Sequence, residues 1–248
     1  MGCEGVYSDL VSNTRAFFEK TGFSRAVLGL SGGLDSSLTA ALLADSLGSE
    51  NVAAISMPCK GLGYKQDKED AKSLANSLGI SFQEVEIGSI VGAVTNSIPW
   101  KQSKVAEMNA MARARMLVLY DYANSNNALV VGTGNKSEVM LGYFTKHGDG
   151  AADFSPLAGL FKTELFEIAR AKPLPKAILE KEPSACLAPG QTDALDLGAP
   201  YSKIDPVLKA IYSGSKEEEL KQGFEPKLVE SILERIKANK HKVEGATC

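Results

Sequence analysis

Histidine is nearly missing from this chain, with two residues in 248, and cysteine is sparse, with four. Cys3, Cys59, Cys186 and Cys248 form no Cys-x-x-Cys pair, so the ligand spacing of a structural zinc site is absent. Their scatter fits free thiols in a reducing compartment. Positive charge is not in excess either. Lys and Arg number 27 against 30 Asp and Glu, a formal net charge of −3. That argues against a nucleic-acid partner, which needs a clustered basic face, while leaving room for a locally positive pocket. No apolar run approaches the roughly 18–20 residues of a membrane-crossing helix. Met1 to Lys20 mixes charges among apolar residues and lacks a signal-peptide core. A cytoplasmic protein without a membrane partner is expected. What the chain does have is apolar mass: 44% of residues are hydrophobic, enough for a sizeable core. No repeat, low-complexity stretch or linker interrupts it, so residues 1–248 are read as one domain.

Helical spacing of Leu10, Val11, Thr14, Phe17 and Phe18 predicts a helix over Val6 to Lys20, stopped near Gly22. Ala26 to Leu30 reads as a buried strand. A helix over Leu38 to Leu47 ends at Gly48, and a strand over Val52 to Met57 runs into a Gly- and Lys-rich loop, Cys59 to Gln66. Then follow a helix (Lys68 to Leu78), a strand (Ser81 to Ile87), a helix (Val105 to Ala123) and a strand (Ala128 to Val131). Thr163 to Ala171 is again helical, Pro183 to Pro200 reads as a long loop, and Pro226 to Lys242 is an amphipathic helix with a basic end. This alternation predicts right-handed βαβ units: a doubly wound α/β fold with a mostly parallel sheet and helices on both faces.

The most informative stretch is Ser31-Gly32-Gly33-Leu34-Asp35-Ser36-Ser37, between the first strand and its helix. The glycines permit close backbone approach, and free amides at a helix start favour an anion. The Gly-Lys-Ser/Thr ending of a P-loop is absent, as is G-x-G-x-x-G spacing. A bare Asp35 would repel phosphate, and a Mg²⁺ bridge resolves the conflict. The plainer alternative is a tight turn with a serine cap. Gly132 to Glu138 follows the Val130-Val131 strand. Ligands of such sheets sit beyond the carboxyl ends of the strands, so both loops should face one crevice. Glu138 then offers a second carboxylate for the metal. Lys162 stands at a helix start, where positive charge is disfavoured unless an anion meets it.

Ser-Gly-Gly-x-Asp-Ser between strand and helix resembles the pyrophosphate loop of the N-type ATP pyrophosphatases, which split ATP between the α and β phosphates. Three further strings narrow the resemblance to ammonia-dependent NAD synthetases: Gly132 to Gly150, Lys162-Thr163-Glu164, and Pro183 to Gly198. The likeness runs from about Val27 to the C-terminus. It implies a Rossmann-like sheet of five strands and a two-step reaction. The carboxylate of deamido-NAD attacks ATP to give an adenylated dinucleotide and pyrophosphate; ammonia then displaces AMP. ATP, as co-substrate, would be cradled by Gly29, Leu30, Ser31, Gly32, Gly33, Leu34, Asp35 and Ser36, with contacts from Thr133, Lys162 and Ser184. Asp35 and Glu138 would hold Mg²⁺. Arg113, Lys146, Asp153, His241 and Lys242 would contact deamido-NAD. Asp35 and Lys162 would serve catalysis, with Asp149 as the acid that takes a proton from ammonium. The loops Cys59 to Gln66 and Ser184 to Asp196 would close over the intermediate. The resemblance also implies a homodimer. No glutaminase domain is visible, so ammonia is expected to arrive free or from a separate glutaminase. Two other readings stay open here: another adenylating synthetase of the same class, GMP synthetase-like or tRNA-modifying, and a non-catalytic nucleotide-binding module.

Overall fold

A computed structural model describes residues 2–59, 65–188 and 190–243. Short apolar runs form the strands β1 (Arg25–Gly29), β2 (Val52–Ser56), β3 (Ser81–Glu84) and β4 (Ala128–Val130). They line up in the order β3-β2-β1-β4, and every neighbouring pair is parallel. Val27, Leu28 and Ala54 are fully buried, as expected where helices cover both faces of a parallel sheet.

The helices are α1 (Cys3–Thr21), α2 (Leu34–Leu47), α3 (Lys65–Leu78), α4 (Gly88–Ser97), α5 (Lys104–Asn126) and α6 (Lys136–Leu141). They continue with α7 (Lys162–Arg170), α8 (Lys176–Leu179), α9 (Asp193–Leu197), α10 (Tyr201–Tyr212), α11 (Glu217–Gly223) and α12 (Pro226–Val243). One face of the sheet packs on α1, α2, α3 and α7, where Phe18, Leu38, Leu74 and Leu165 are buried together. The other face packs on α5 through Met111 and Ala114, beside Val27, Ile55 and Val130. A third apolar cluster, including Leu141, Val207 and Val229, joins α6 to α10 and α12. Among the described residues, no helix is long and apolar enough to cross a membrane.

Four strands, rather than the expected five, make up the sheet among the described residues. Beside β4 the pairing shrinks to one parallel bridge, Val131 to Phe154. The reason is local. The carboxylate of Asp153, not a backbone carbonyl, accepts from the Val130 amide at 2.8 Å, and Pro156 has no amide to extend a ladder. Other boundaries also shift. α2 begins at Leu34, four residues before the spacing predicts, so Asp35, Ser36 and Ser37 lie in its first turn. The predicted loop Pro183 to Pro200 contains α9. α4 and α10 have no counterpart in the sequence reading, because Gly88 and Gly92 weaken one helical pattern and Pro206 interrupts the other.

The strand order places the site. From β1 the chain moves outward to β2 and β3, then returns to β4 on the opposite side of β1. The carboxyl ends of β1 and β4 therefore open a crevice at the point where the order reverses.

Candidate active site

Both glycine-containing loops leave the sheet at that crevice. After β1, the Leu30 amide still bonds the Ile55 carbonyl at 3.0 Å. The chain then turns through Gly32, whose φ is +77°; a Cβ there would collide with the backbone carbonyl of Asp67. Hydroxyls hold the turn. Ser31 and Ser36 share a bond of 3.0 Å, and Ser36 and Ser37 both donate to the Gly33 carbonyl, at 3.1 and 2.7 Å. No side chain caps the start of α2, so its first amides and the positive end of its dipole face the crevice. Such a helix start favours an anion.

Asp35 points into the crevice from the first turn of α2. Its Oδ1 pairs with Lys162 Nζ at 2.6 Å, and its Oδ2 accepts from Asn135 Nδ2 at 2.8 Å. Lys162 is the first residue of α7 and is buried with it. Burial pushes the Lys162 ammonium down, but the charges of Asp35, Glu138 and Asp193 outweigh that and leave its pKa raised, so the cation persists. The anion that the helix-start lysine requires is Asp35.

Asn135 joins the two loops. It caps α6 by accepting the Glu138 amide at 3.0 Å, while Glu138 accepts the Asn135 amide at 3.1 Å, a reciprocal capping box. Glu138 and Asp35 are thus hydrogen-bonded to one and the same asparagine. Burial first, and the charge of Asp35 second, push the Glu138 carboxyl up to about 8. Asp193, at the start of α9, completes the ring of acids. Its oxygens take the hydroxyls of Tyr143 at 3.3 Å and Tyr201 at 3.0 Å, and burial raises its pKa. Three carboxyls thus share one lysine, and the pocket is short of positive charge. Among the described residues no group of three His, Cys, Asp or Glu is placed to hold a metal ion. Asp35 and Glu138 are two carboxyls tied to one asparagine, and Mg²⁺ is a cation that takes one or two carboxylates and fills its shell with water and substrate phosphates.

Lys181 is a cation that the sequence reading overlooks. Its Nζ donates to the Gly32 carbonyl at 3.1 Å and pairs with Asp67 at 2.6 Å and Asp70 at 3.5 Å, tying the glycine loop to α3. Nothing in Lys181-Glu182 separates this lysine from a surface charge by sequence alone. Thr133 lies half-buried between β4 and α6. Ser184 spends its hydroxyl inside its own loop, donating to the Gln191 carbonyl at 2.6 Å and accepting the Cys186 amide at 3.1 Å. Residues 60–64 of the first expected closing loop, Pro189 of the second, and Cys248 lie outside the described residues.

The residues expected to meet deamido-NAD fall into two places. Arg113 on α5 donates to the Lys146 carbonyl at 3.3 and 3.2 Å, and Lys146 Nζ donates to the His241 carbonyl at 2.9 Å. Lys242 donates to the carbonyls of Gly142 and Phe144 at 2.7 and 2.9 Å. The basic end of α12 is therefore docked on the segment that follows α6. Asp153 lies apart, at the edge of β4, where it also takes the Tyr120 hydroxyl at 3.2 Å. Asp149 accepts the Thr145 amide at 2.9 Å. Desolvation raises its pKa, while the Thr145 amide acts against that; solvent reaches the residue, which limits the effect.

This geometry can be set beside known proteins. A sequence model of the NAD synthase family matches residues 6–246. This chain belongs to the NAD synthase family. It is 42% identical to the NH₃-dependent NAD⁺ synthetase of Methanosarcina acetivorans over 246 residues, covering 98% of this chain and 96% of that one. Among solved structures it resembles the NMN synthetase of Francisella tularensis, with a TM-score of 0.90, 33% identity and coverage of 100% and 98%. It also resembles the NH₃-dependent NAD synthetase of Campylobacter jejuni, with a TM-score of 0.85, 32% identity and coverage of 100% and 99%. The match to these two structures extends over essentially the whole of each chain.

Proposed function

We propose that this member of the NAD synthase family converts deamido-NAD to NAD, using ATP and ammonia and releasing AMP and pyrophosphate. The observation that carries the reading is the crevice at the reversal of strand order. There an uncapped helix start, a buried lysine and a pair of carboxyls surround one anion site. The nicotinate carboxylate is already ionised at neutral pH, so attack on the α-phosphorus needs no general base. The chain positions the reactants and neutralises charge. The first amides of α2 and the ammonium of Lys162 receive the departing pyrophosphate. Magnesium, held by Asp35 and Glu138, would supply the remaining positive charge on the phosphates. Arg113, Lys146, Asp153, His241 and Lys242 serve the dinucleotide, and Thr133 and Ser184 serve ATP. Asp149 accepts the proton as ammonium becomes the attacking ammonia.

The adenylated intermediate gives a direct test. Deamido-NAD should drive exchange of labelled pyrophosphate into ATP with no ammonium present. An exchange that needs no dinucleotide would refute the reading. The likeness to an NMN synthetase motivates a second acceptor, nicotinate mononucleotide, which presents the same carboxylate on a shorter molecule. Exchange faster with the mononucleotide would select that reading instead.

A homodimer belongs to the same proposal. Val94 on α4, Trp100 in the connector, and Val105 and Leu117 on α5 are all exposed apolar side chains, between 46% and 65% accessible. Their presence on two consecutive helices and the connector between them supports a contact surface there. Leu117→Arg is expected to shift the protein from dimer to monomer in sedimentation velocity. An unchanged sedimentation coefficient would move the interface elsewhere.

A further inference from the structure

α7 begins without a side-chain cap of its own, since its N-cap residue is Phe161. Its first two amides are nonetheless satisfied, the first by Ser137 and the second by a residue 42 positions further along the chain. Asp205, in α10, is fully buried. Its Oδ2 accepts the Thr163 amide at 2.8 Å, and its Oδ1 accepts the hydroxyl of Ser137 at 2.7 Å. Ser137, also fully buried, in turn accepts the Lys162 amide at 2.9 Å. One carboxylate therefore holds both leading amides, one directly and one through a hydroxyl. Negative charge at this end of a helix is favourable, which accounts for a buried Asp met by a hydroxyl and an amide rather than by a lysine or arginine.

The consequence reaches the site. Lys162 is the residue from which the buried ammonium extends to Asp35. Ser137 lies in α6 next to Glu138 and two residues after Asn135, which donates to Asp35. The relay thus fixes the backbone under the cation and ties the start of α7 to α6 and α10. We propose that Asp205, acting through Ser137 and the leading amides of α7, is a positioning residue for adenylation: it sets where the Lys162 ammonium stands. The inference rests on the proposed role of Lys162 as the cation that receives pyrophosphate.

Asp205→Asn tests it, because the amide keeps the shape but presents one oxygen where two acceptors are needed. The Ser137 hydroxyl loses the oxygen it donates to. The full-length protein would be assayed for deamido-NAD-dependent adenylation as Asp205→Asn, Ser137→Ala and Lys162→Met, singly and combined, with the thermal midpoint of each. A displaced cation should lower kcat by about 10- to 100-fold, with little change in KM for ATP. In the Lys162→Met background, the same Asp205→Asn change should cost no further activity, since its route to the reaction is already cut. A merely structural role lowers the midpoint and leaves kcat alone, or makes the two losses multiply; either result overturns the inference and spares the role of Lys162. If Lys162→Met by itself adenylates at a near-normal rate, the role of Lys162 and the inference both fall. Should Asp205→Asn not fold, Ser137→Ala combined with Lys162→Met decides between the same outcomes, because it cuts the link to the Lys162 amide and leaves the Asp205–Thr163 bond in place.

Discussion

Replacing Lys162 with Met is expected to lower the rate of adenylation by about 100- to 1000-fold, the size of effect seen when a preorganised donor to developing charge is removed. The ammonium is the cation that α7 brings to the acid cluster, and Lys162 is 5% exposed. Solvent cannot replace it. The change also has a cost in stability. Breaking a buried ion pair by removing one partner destabilises by about 3–5 kcal/mol, because the remaining charge stays desolvated. The Asn135 amide, still donating to Asp35 Oδ2 at 2.8 Å, offsets part of that. A lower thermal midpoint should therefore accompany the loss of rate. The rate is to be read well below that midpoint. A folded Lys162→Met protein that forms adenylate at close to the parental rate would remove the lysine from the reaction.

Glu138→Gln is the second large effect, and it is cleaner than any change at Asp35. Glutamine can still accept the Asn135 amide, so the capping box survives while one charge disappears. Adenylation at saturating Mg²⁺ should fall by about 100-fold, in line with the several kcal/mol that a metal supplies to phosphoryl chemistry, and the Mg²⁺ needed for half the maximal rate should rise. The same variant has a signature in stability. In metal-free protein burial, and then the charge of Asp35, push the Glu138 carboxyl of the folded state up to about 8, from an ordinary value of 4.5. The folded form therefore holds a proton that the unfolded form gives up. Stability from this source is fully present below the ordinary carboxylate range and is lost as pH rises through about 8. Without Mg²⁺ the parental thermal midpoint should decline between about pH 5 and about pH 9, and Glu138→Gln should flatten that decline. Parental activity of the Gln variant at limiting Mg²⁺ would rule out Glu138 as a ligand.

The parts of this site that could be read in the sequence are those encoded locally. A strand, two glycines and a helix start lie within a dozen residues, and their spacing alone predicts an anion loop between Leu30 and Leu38. Asp35 and Glu138 stand out for the same reason: each is an acid in the first turn of a helix that follows a strand. The links between them cannot be read this way. Lys162 meets Asp35 across 127 residues, and Asn135 meets it across 100, distances over which periodicity carries no information. Asp205 looks like an ordinary polar residue before a proline until α10 folds it under α7. Lys181 looks like half of a surface Lys-Glu pair until the 181–193 segment lays it on the Gly32 carbonyl. Ser184 and Lys242 show the opposite case. Their residue types fit ligand contacts, yet in this structure both donate to backbone carbonyls, which shape the loops around the crevice. The fifth strand fails similarly: an aspartate side chain occupies the edge that a longer β run would have extended.

On the proposed mechanism, this crevice splits ATP between its α and β phosphates to amidate a nicotinate dinucleotide. The most direct test is to incubate the protein with ATP, deamido-NAD, Mg²⁺ and ammonium and to separate and quantify the products. AMP, pyrophosphate and NAD should form in equal amounts, with no NAD when ammonium is left out. ADP and phosphate in place of AMP and pyrophosphate would contradict the account.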